Sequence, residues 1–297
     1  MINKIKKHIN KKILYLLSPI IYKNPLIVKN ILKSDTASFV LDTIKKDSNL
    51  LDLVLQEFKE EIHTRMENYP SPLNPGYNHI DKSVEILKRT TGNQADLLIV
   101  DIGAATGYVS ELFAKTLPEH TIYSFEPIKN SYEQLKNKSE FYKNIIPRNK
   151  AIGSSNTELE INVANRITAS SLYALNPGED NNFITQNINL TRKETITVST
   201  LDTEISIGQR IGILKLDVQG YELEALKGAY RCLEETYIIL VEVSNHNYYT
   251  GGAQYYEIDD FLRKKGFRLY TIIPSLRENG RMLEWDCIYT NQKFVKL

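Results

Sequence analysis

Cysteine is almost absent from this sequence. The two present in 297 residues, Cys232 and Cys287, cannot build a multi-bridge framework and have neither CxxC nor Cys/His ligand spacing, so reduced structural thiols in a cytosolic protein are expected. The two N-x-S/T sequons, at Asn137 and Asn189, are then accidental. Long apolar runs are also lacking near the start: ILYLLSPIIY has ten residues and contains Ser18-Pro19, against the roughly 20 needed to span a bilayer. It is excluded as a transmembrane helix. Acid is missing from residues 1–34, which hold eight lysines and neither Asp nor Glu. Taking those eight from 37 Lys and Arg leaves 29 against 36 Asp and Glu, so the rest of the chain is net −7 beneath an overall +1. A basic start before an apolar run imitates a secretory signal, but a small-residue cleavage site is missing and the segment is read as retained. Internal repeats and low-complexity tracts are absent too.

What is there is the composition of a soluble globular protein, 42% hydrophobic and 25% charged, long enough for one α/β domain and a smaller appendage. Two readings fit the basic segment: a solvated helix docked on the main domain, or an amphipathic segment resting on an anionic membrane surface. From Phe39 to about Met66 apolar residues recur at helical spacing, and NYPSPLNPGYN, residues 68–78, packs three prolines and a glycine into a short stretch that marks a boundary or a loop over a site. The expected organisation is a basic N-terminal segment over 1–34, a helical extension and proline-rich loop over 35–80, and the main domain over 81–297.

In that domain short apolar runs alternate with helical patterns: strands near 97–102, 121–126 and 145–152, helices near 107–117 and 127–138. Such alternation implies parallel pairing through helical crossovers. After Ser155, TELEINVA and ETITVSTL alternate with the two-residue period of strands and read as a hairpin-type excursion. The rhythm then resumes with strand IGILKLDV, a helix at 220–231, strand YIILVEV, a helix at 255–265, and the last strands FRLYTII and WDCIYT.

The stretch LLIVDIGAATGYVS, residues 97–110, joins a buried strand to a glycine turn and a helix N-terminus, a device that favours an anionic ligand group. Its spacing is Asp101-x-Gly103-x-Ala105-x-Gly107, without the glycine pair that lets a backbone approach a pyrophosphate. An acid at the strand end would repel a pyrophosphate and suits a cation. S-adenosylmethionine is such a ligand: Asp101 can orient the loop and accept from its ammonium, directly or through water, while loop amides take its carboxylate. The next strand ends in SFEP, where Glu126, 23 residues beyond Gly103, can accept hydrogen bonds from ribose hydroxyls. Pro127 suits the first helical position. Either acid alone reads as a cap or surface residue; the pair at consecutive strand ends reads as a site.

DIGAATG, YSFEP, AIG, STLD, LKLDVQGYELEALKGA and LVEV together resemble, in order and spacing, the FkbM family of S-adenosylmethionine-dependent methyltransferases, over about residues 95–275. KLDVQGYELEALKGA is the most specific element. The resemblance implies a class I methyltransferase (Rossmann-like) α/β sheet, mostly parallel with a terminal antiparallel strand, carrying here an N-terminal helical extension and the β-hairpin-type insertion. It also implies O-methylation, with glycans and polyketide-type products among the family's substrates, and cofactor contacts from Asp101, Gly103, Ala104, Gly107, Glu126 and Ser154. Two positions depart from the family pattern. Ala105 stands where asparagine is usual, and Gln219 where a glutamate is, which keeps hydrogen-bonding reach but removes a charge.

Beyond the strand ends, Asp217 and the group Glu242, Asn245 and His246 fall on the acceptor side of the cofactor. An acceptor hydroxyl must be held close to the methyl group and lose its proton, and Asp217 and His246 are the candidates for that work. Asp217, Glu242 and His246 also offer an alternative donor set for a divalent metal, although none is assigned; the plainer reading of Glu242 is a cap on its strand end. The loop SNHNYYTGGAQYYE, residues 244–257, mixes amides, a histidine and tyrosines, which suits a sugar. The expectation is therefore an S-adenosylmethionine-dependent O-methyltransferase acting on a saccharide or glycoconjugate, cytoplasmic, with peripheral contact at the inner membrane face through its basic start. Its rivals are a methyltransferase-like binding protein without turnover, and a nicotinamide-dependent oxidoreductase, which Asp101 and the missing glycine pair disfavour. A nucleic-acid partner is not expected, because the domain is acidic and no Asn/Asp-Pro-Pro-aromatic motif follows a strand.

Overall fold

The computed structural model describes residues 78–92, 94–165, 169–176, 188–278 and 281–296. The basic segment, the helical pattern at 39–66 and the proline-rich stretch through residue 77 lie outside the described residues. Helix α1 (Asn78–Thr91) crosses the expected boundary between 80 and 81. Its Ile80, Val84, Ile86 and Leu87 are buried in one of the two main cores, so it belongs to the domain that follows.

Strands β1 (Leu98–Ile102), β2 (Ile122–Phe125) and β3 (Ile145–Arg148) are joined by α2 (Tyr108–Thr116) and α3 (Lys129–Phe141). Strand β7 (Ile211–Leu216) follows later, then α5 (Glu222–Lys227), a 3-10 turn (Cys232–Glu235), β8 (Thr236–Ser244), α6 (Tyr255–Lys264), β9 (Phe267–Glu278) and β10 (Arg281–Asn291). These seven strands form one sheet in the order β3-β2-β1-β7-β8-β10-β9. The first five are parallel, and β10 runs antiparallel to both β8 and β9. That is the mostly parallel sheet with a reversed terminal strand that the sequence led one to expect. Every residue of β1 and β7 is buried, as a sheet covered on both faces requires. Alternate residues feed different cores: Ile99, Ile213 and Leu240 pack with α1 and α2, while Val100, Leu214 and Val241 pack with α5 and α6.

The run 145–152 is two strands, and this corrects the single one expected. Strand β3 ends at Arg148, and Ala151–Ile152 forms β4 in a different sheet. Asn149 secures the break by donating to the carbonyls of Glu126 and Pro127, both at 2.9 Å. The second sheet has the order β4-β6-β5, with β5 (Thr157–Ala164) antiparallel to β6 (Leu190–Ser199) and β4 parallel to it; a short helix α4 (Leu201–Glu204) leads back to β7. Its core of Ile128, Ile161, Val163, Ile196 and Val198 sits beside the C-terminal end of β2. Proline falls on both edges of the large sheet, Pro147 in β3 and Pro274 in β9, where the missing N–H costs no ladder bond.

Candidate active site

The acid before the glycine turn has a partner in the neighbouring strand. Asp101 is paired in register with Lys215 of β7, and Lys215 Nζ lies 3.1 Å from Asp101 Oδ1. The other carboxylate oxygen accepts from Ser110 Oγ at 2.6 Å, and Ser110 in turn accepts from Ser124 at 2.9 Å. Asp101 is 0% exposed, so it supports the loop from beneath and does not line the cleft. Burial alone would lower the Lys215 ammonium; the Asp101 and Asp217 carboxylates outweigh it and hold Lys215 above its ordinary range.

The turn above them brings two strand ends together. Gly103 is left-handed at φ 78, and a Cβ there would sit 1.9 Å from the Asp217 carbonyl oxygen, so only glycine allows this approach. The amides of Gly103 and Ala104 both donate to the Phe125 carbonyl, at 3.1 and 3.0 Å, and that of Ala105 donates to Glu126 Oε2 at 2.9 Å. These three amides are bonded within the protein. Gly107 (φ 81) caps α2 and packs on Leu135.

Glu126 closes β2 with one oxygen on the Ala105 amide and the other on the Ile128 amide, each at 2.9 Å. Each oxygen keeps a second lone pair for a ligand hydroxyl. Burial pushes its carboxyl up to about 7, against the pull of the two amides and Lys215. Glu126, Gly103, Ala105 and Asp217 line a cleft of about 640 Å³ whose apolar walls include Ile152 and Leu172. Ala104 is buried and, with Gly107, frames the loop without lining the cleft. Ser154 lies outside it, its hydroxyl donating to Glu224 at 2.6 Å.

A smaller pocket of about 360 Å³ adjoins the cleft, lined by His246, Tyr248, Tyr249, Glu222, Glu242 and Glu284 among others. Gln219 lines both spaces. Its amide nitrogen donates to Asp217 Oδ1 and to Glu242 Oε2, each at 2.9 Å, and its oxygen lies 2.9 Å from the Tyr249 hydroxyl. Burial, then the Asp217 charge, hold Glu242 well above the ordinary carboxylate range. Glu222 accepts from the Val218 and Gly220 amides at 2.9 and 3.2 Å, and burial pushes it up to about 7. On the far side, His79 Nδ1 lies 3.1 Å from Asp286 Oδ2. Burial lowers His79 to about 4 and raises Asp286, so both shifts run toward the neutral forms.

The two candidate bases are thus separated: Asp217 faces the cleft, and His246 faces the adjoining pocket with its ring against Tyr248 at 4.6 Å. Among the described residues no group of three His, Cys, Asp or Glu could hold a metal ion, so Asp217, Glu242 and His246 do not converge as a ligand set. Sequence reasoning passed over Lys215, Glu222 and Tyr249. Lys215 had a signal, being the one charge inside the apolar strand IGILKL, since a buried ammonium requires a counter-ion.

The sequence model described as the methyltransferase FkbM domain matches residues 101–269, more than half of the chain. The chain belongs to the FkbM methyltransferase family. Membership brings S-adenosylmethionine as the cofactor. The cleft fits it: a buried carboxylate with spare lone pairs at the end of β2, apolar walls beside it and a second carboxylate facing it. No curated protein matches in sequence. Among solved structures, FkbM methyltransferase from Methylobacillus flagellatus KT is 16% identical with a TM-score of 0.43, over 66% of this chain and 44% of that one. The present chain thus spans less than half the length of that relative. Magnesium protoporphyrin IX methyltransferase from Synechocystis PCC 6803, with bound SAM, is 12% identical with a TM-score of 0.38, over 72% and 84% of the two chains.

The two departures from the FkbM pattern share a backbone feature. Ala105 (φ 48) and Gln219 (φ 56) are the non-glycine residues with positive φ among the described residues, and both line the cleft. Asparagine adopts that conformation at less cost than alanine, so Ala105 is a strained position in the glycine loop.

Proposed function

We propose that this FkbM-family protein methylates a hydroxyl oxygen of a saccharide or glycoconjugate. The observation that carries the reading is the cleft and the adjoining pocket meeting at one side chain, Gln219, with Asp217 at the junction. Bound S-adenosylmethionine supplies a methyl group on a sulfonium, open to in-line displacement. Glu126 accepts from the ribose hydroxyls, and Ile152 and Leu172 offer apolar walls for the base. Asp101 and Gly107 act from outside the cleft, fixing the loop's shape. Asp217, with 38% of its side chain exposed, takes the acceptor's proton, and the Gln219 N–H directs its carboxylate. Tyr248 and Tyr249 give the adjoining pocket flat apolar faces with polar tips. Glu222, Glu242 and Glu284 give it acceptors for sugar hydroxyls. His246 is the second candidate base, within that pocket.

Incubation of the full chain with S-adenosylmethionine and glycans from a strain deleted for its gene tests the reading. S-adenosylhomocysteine and one added methyl on a sugar oxygen are expected by mass spectrometry. Methyl on nitrogen, or cofactor binding with no product, overturns it.

The eight lysines of residues 1–34 support a peripheral contact with anionic lipid at the inner membrane face. No helix among the described residues is long and apolar enough to cross a membrane. Vesicle binding should require anionic lipid and fall with salt. Equal binding by a truncation beginning at Ser34 overturns this.

A further inference from the structure

We infer that Lys215 is a positioning residue that shapes the cofactor loop, over and above neutralising Asp101. The inference rests on the reading of the large cleft as the S-adenosylmethionine site. Lys215 makes one hydrogen bond and two ion pairs, with partners from three segments. Nζ lies 3.1 Å from Asp101 Oδ1 at the end of β1 and 3.6 Å from Asp217 Oδ2 beyond β7. It donates to the Gly103 carbonyl at 3.1 Å, inside the glycine turn. The side chain is only 5% exposed, so its contacts with Asp101 and Gly103 are shielded from water.

The third contact is the informative one. Charge balance requires only a carboxylate beside the ammonium, and a buried ion pair is commonly replaceable by neutral groups without loss of stability. The Gly103 carbonyl belongs to the residue whose left-handed backbone lets the loop touch the Asp217 carbonyl. Two residues on, the Ala105 amide holds Glu126. A continuous set of contacts therefore runs from Lys215 through the glycine turn to the carboxylate read as the ribose acceptor. The same ammonium reaches the Asp217 carboxylate on the acceptor side, so one buried side chain fixes both walls of the cleft.

The test compares Asp101→Asn with Asp101→Asn/Lys215→Met, using S-adenosylhomocysteine as the calorimetric probe and thermal unfolding as the control. In the Asp101→Asn background, removing the ammonium leaves no buried carboxylate at position 101. A residue needed only for neutralisation then has nothing left to neutralise there. Positioning predicts that the double variant unfolds close to the single one but binds the probe about tenfold or more weakly, a coupling of the size seen for residues that share a network. Equal affinities overturn the inference. Failure of the wild type to bind the probe would instead contradict the cofactor reading itself.

Discussion

The cleft and the pocket beside it share Gln219 but are built by different means. The cleft is made by backbone: two consecutive β-strand ends, a left-handed glycine, and amides that hold Glu126 in place. The pocket is made by side chains from distant segments. Its Tyr249 lies 80 residues along the chain from the Ala169 carbonyl, which it meets at 3.1 Å, and Gln219 spans from Asp217 to Glu242. The lesson is that the cleft is shaped by the fold, whereas the acceptor recognition proposed for the pocket rests on a few side chains.

The largest expected effect attacks that difference directly. Gly103→Ala places a Cβ 1.9 Å from the Asp217 carbonyl at a φ of 78 and should abolish cofactor binding or cost about 3 kcal/mol or more of stability. Gly252→Ala in the adjoining pocket meets its closest atom, the Tyr249 carbonyl oxygen, at 3.2 Å and should leave cofactor affinity nearly intact. Equal losses of S-adenosylhomocysteine affinity in the two variants would erase the distinction.

Asp217→Asn should come next. Amide and carboxylate have almost the same shape, so folding and cofactor affinity persist, while kcat falls about a hundredfold with loss of the base. Near-normal turnover would reduce Asp217 to a structural turn. Restoration by a divalent ion after chelator treatment of the wild type would bring back the metal alternative.

The titrations sharpen the comparison further. Glu126 in the cleft and Glu222 in the pocket are both raised to about 7 from the usual carboxylate range by burial. Between that range and pH 7 the folded protein binds more protons than the unfolded chain, so these two groups make stability fall as pH rises. Their contribution is full at low pH and lost once pH passes about 7. Glu222→Gln keeps an acceptor for the Val218 and Gly220 amides and should flatten the decline in melting temperature from pH 5 to pH 8. An unchanged slope would contradict the burial argument.

The smallest effect concerns strain. Ala105→Gly relieves a left-handed alanine and should raise stability by about 1 kcal/mol, less the entropy that glycine loses on folding. A lower melting temperature would show that the loop is not strained there.

The cleft was legible in advance because strand ends, glycine spacing and strand-end acids are local patterns: Asp101, Gly103 and Glu126 all stand where the alternation of strands and helices put them. Lys215 was legible in principle, through the rule that a charge within a buried strand needs a partner, but the partner lies 114 residues away along the chain and appears only in the β1–β7 register. The pocket was read only in part: Glu242, His246 and the loop 244–257 were placed on the acceptor side, but not the contacts that join them. Nothing local in YYTGG marks Tyr249 rather than Tyr248 as the residue touching Gln219, and Ser154 followed a family motif only to turn toward Glu224. The break of the run 145–152 into two sheets was missed because its two ends, Ile145–Ile146 and Ala151–Ile152, are apolar, and the turn depends on Asn149 reaching back to Glu126 and Pro127.

The central claim, that the cleft holds S-adenosylmethionine through the carboxylate at the end of β2, is tested most directly by calorimetry on Glu126→Ala. The account predicts that wild-type protein binds S-adenosylmethionine and S-adenosylhomocysteine, and that the folded variant binds both more weakly by about 1–3 kcal/mol through lost charge-assisted hydrogen bonds. Unchanged affinity in a folded Glu126→Ala protein, or tight binding of NADH in place of either ligand, would contradict it.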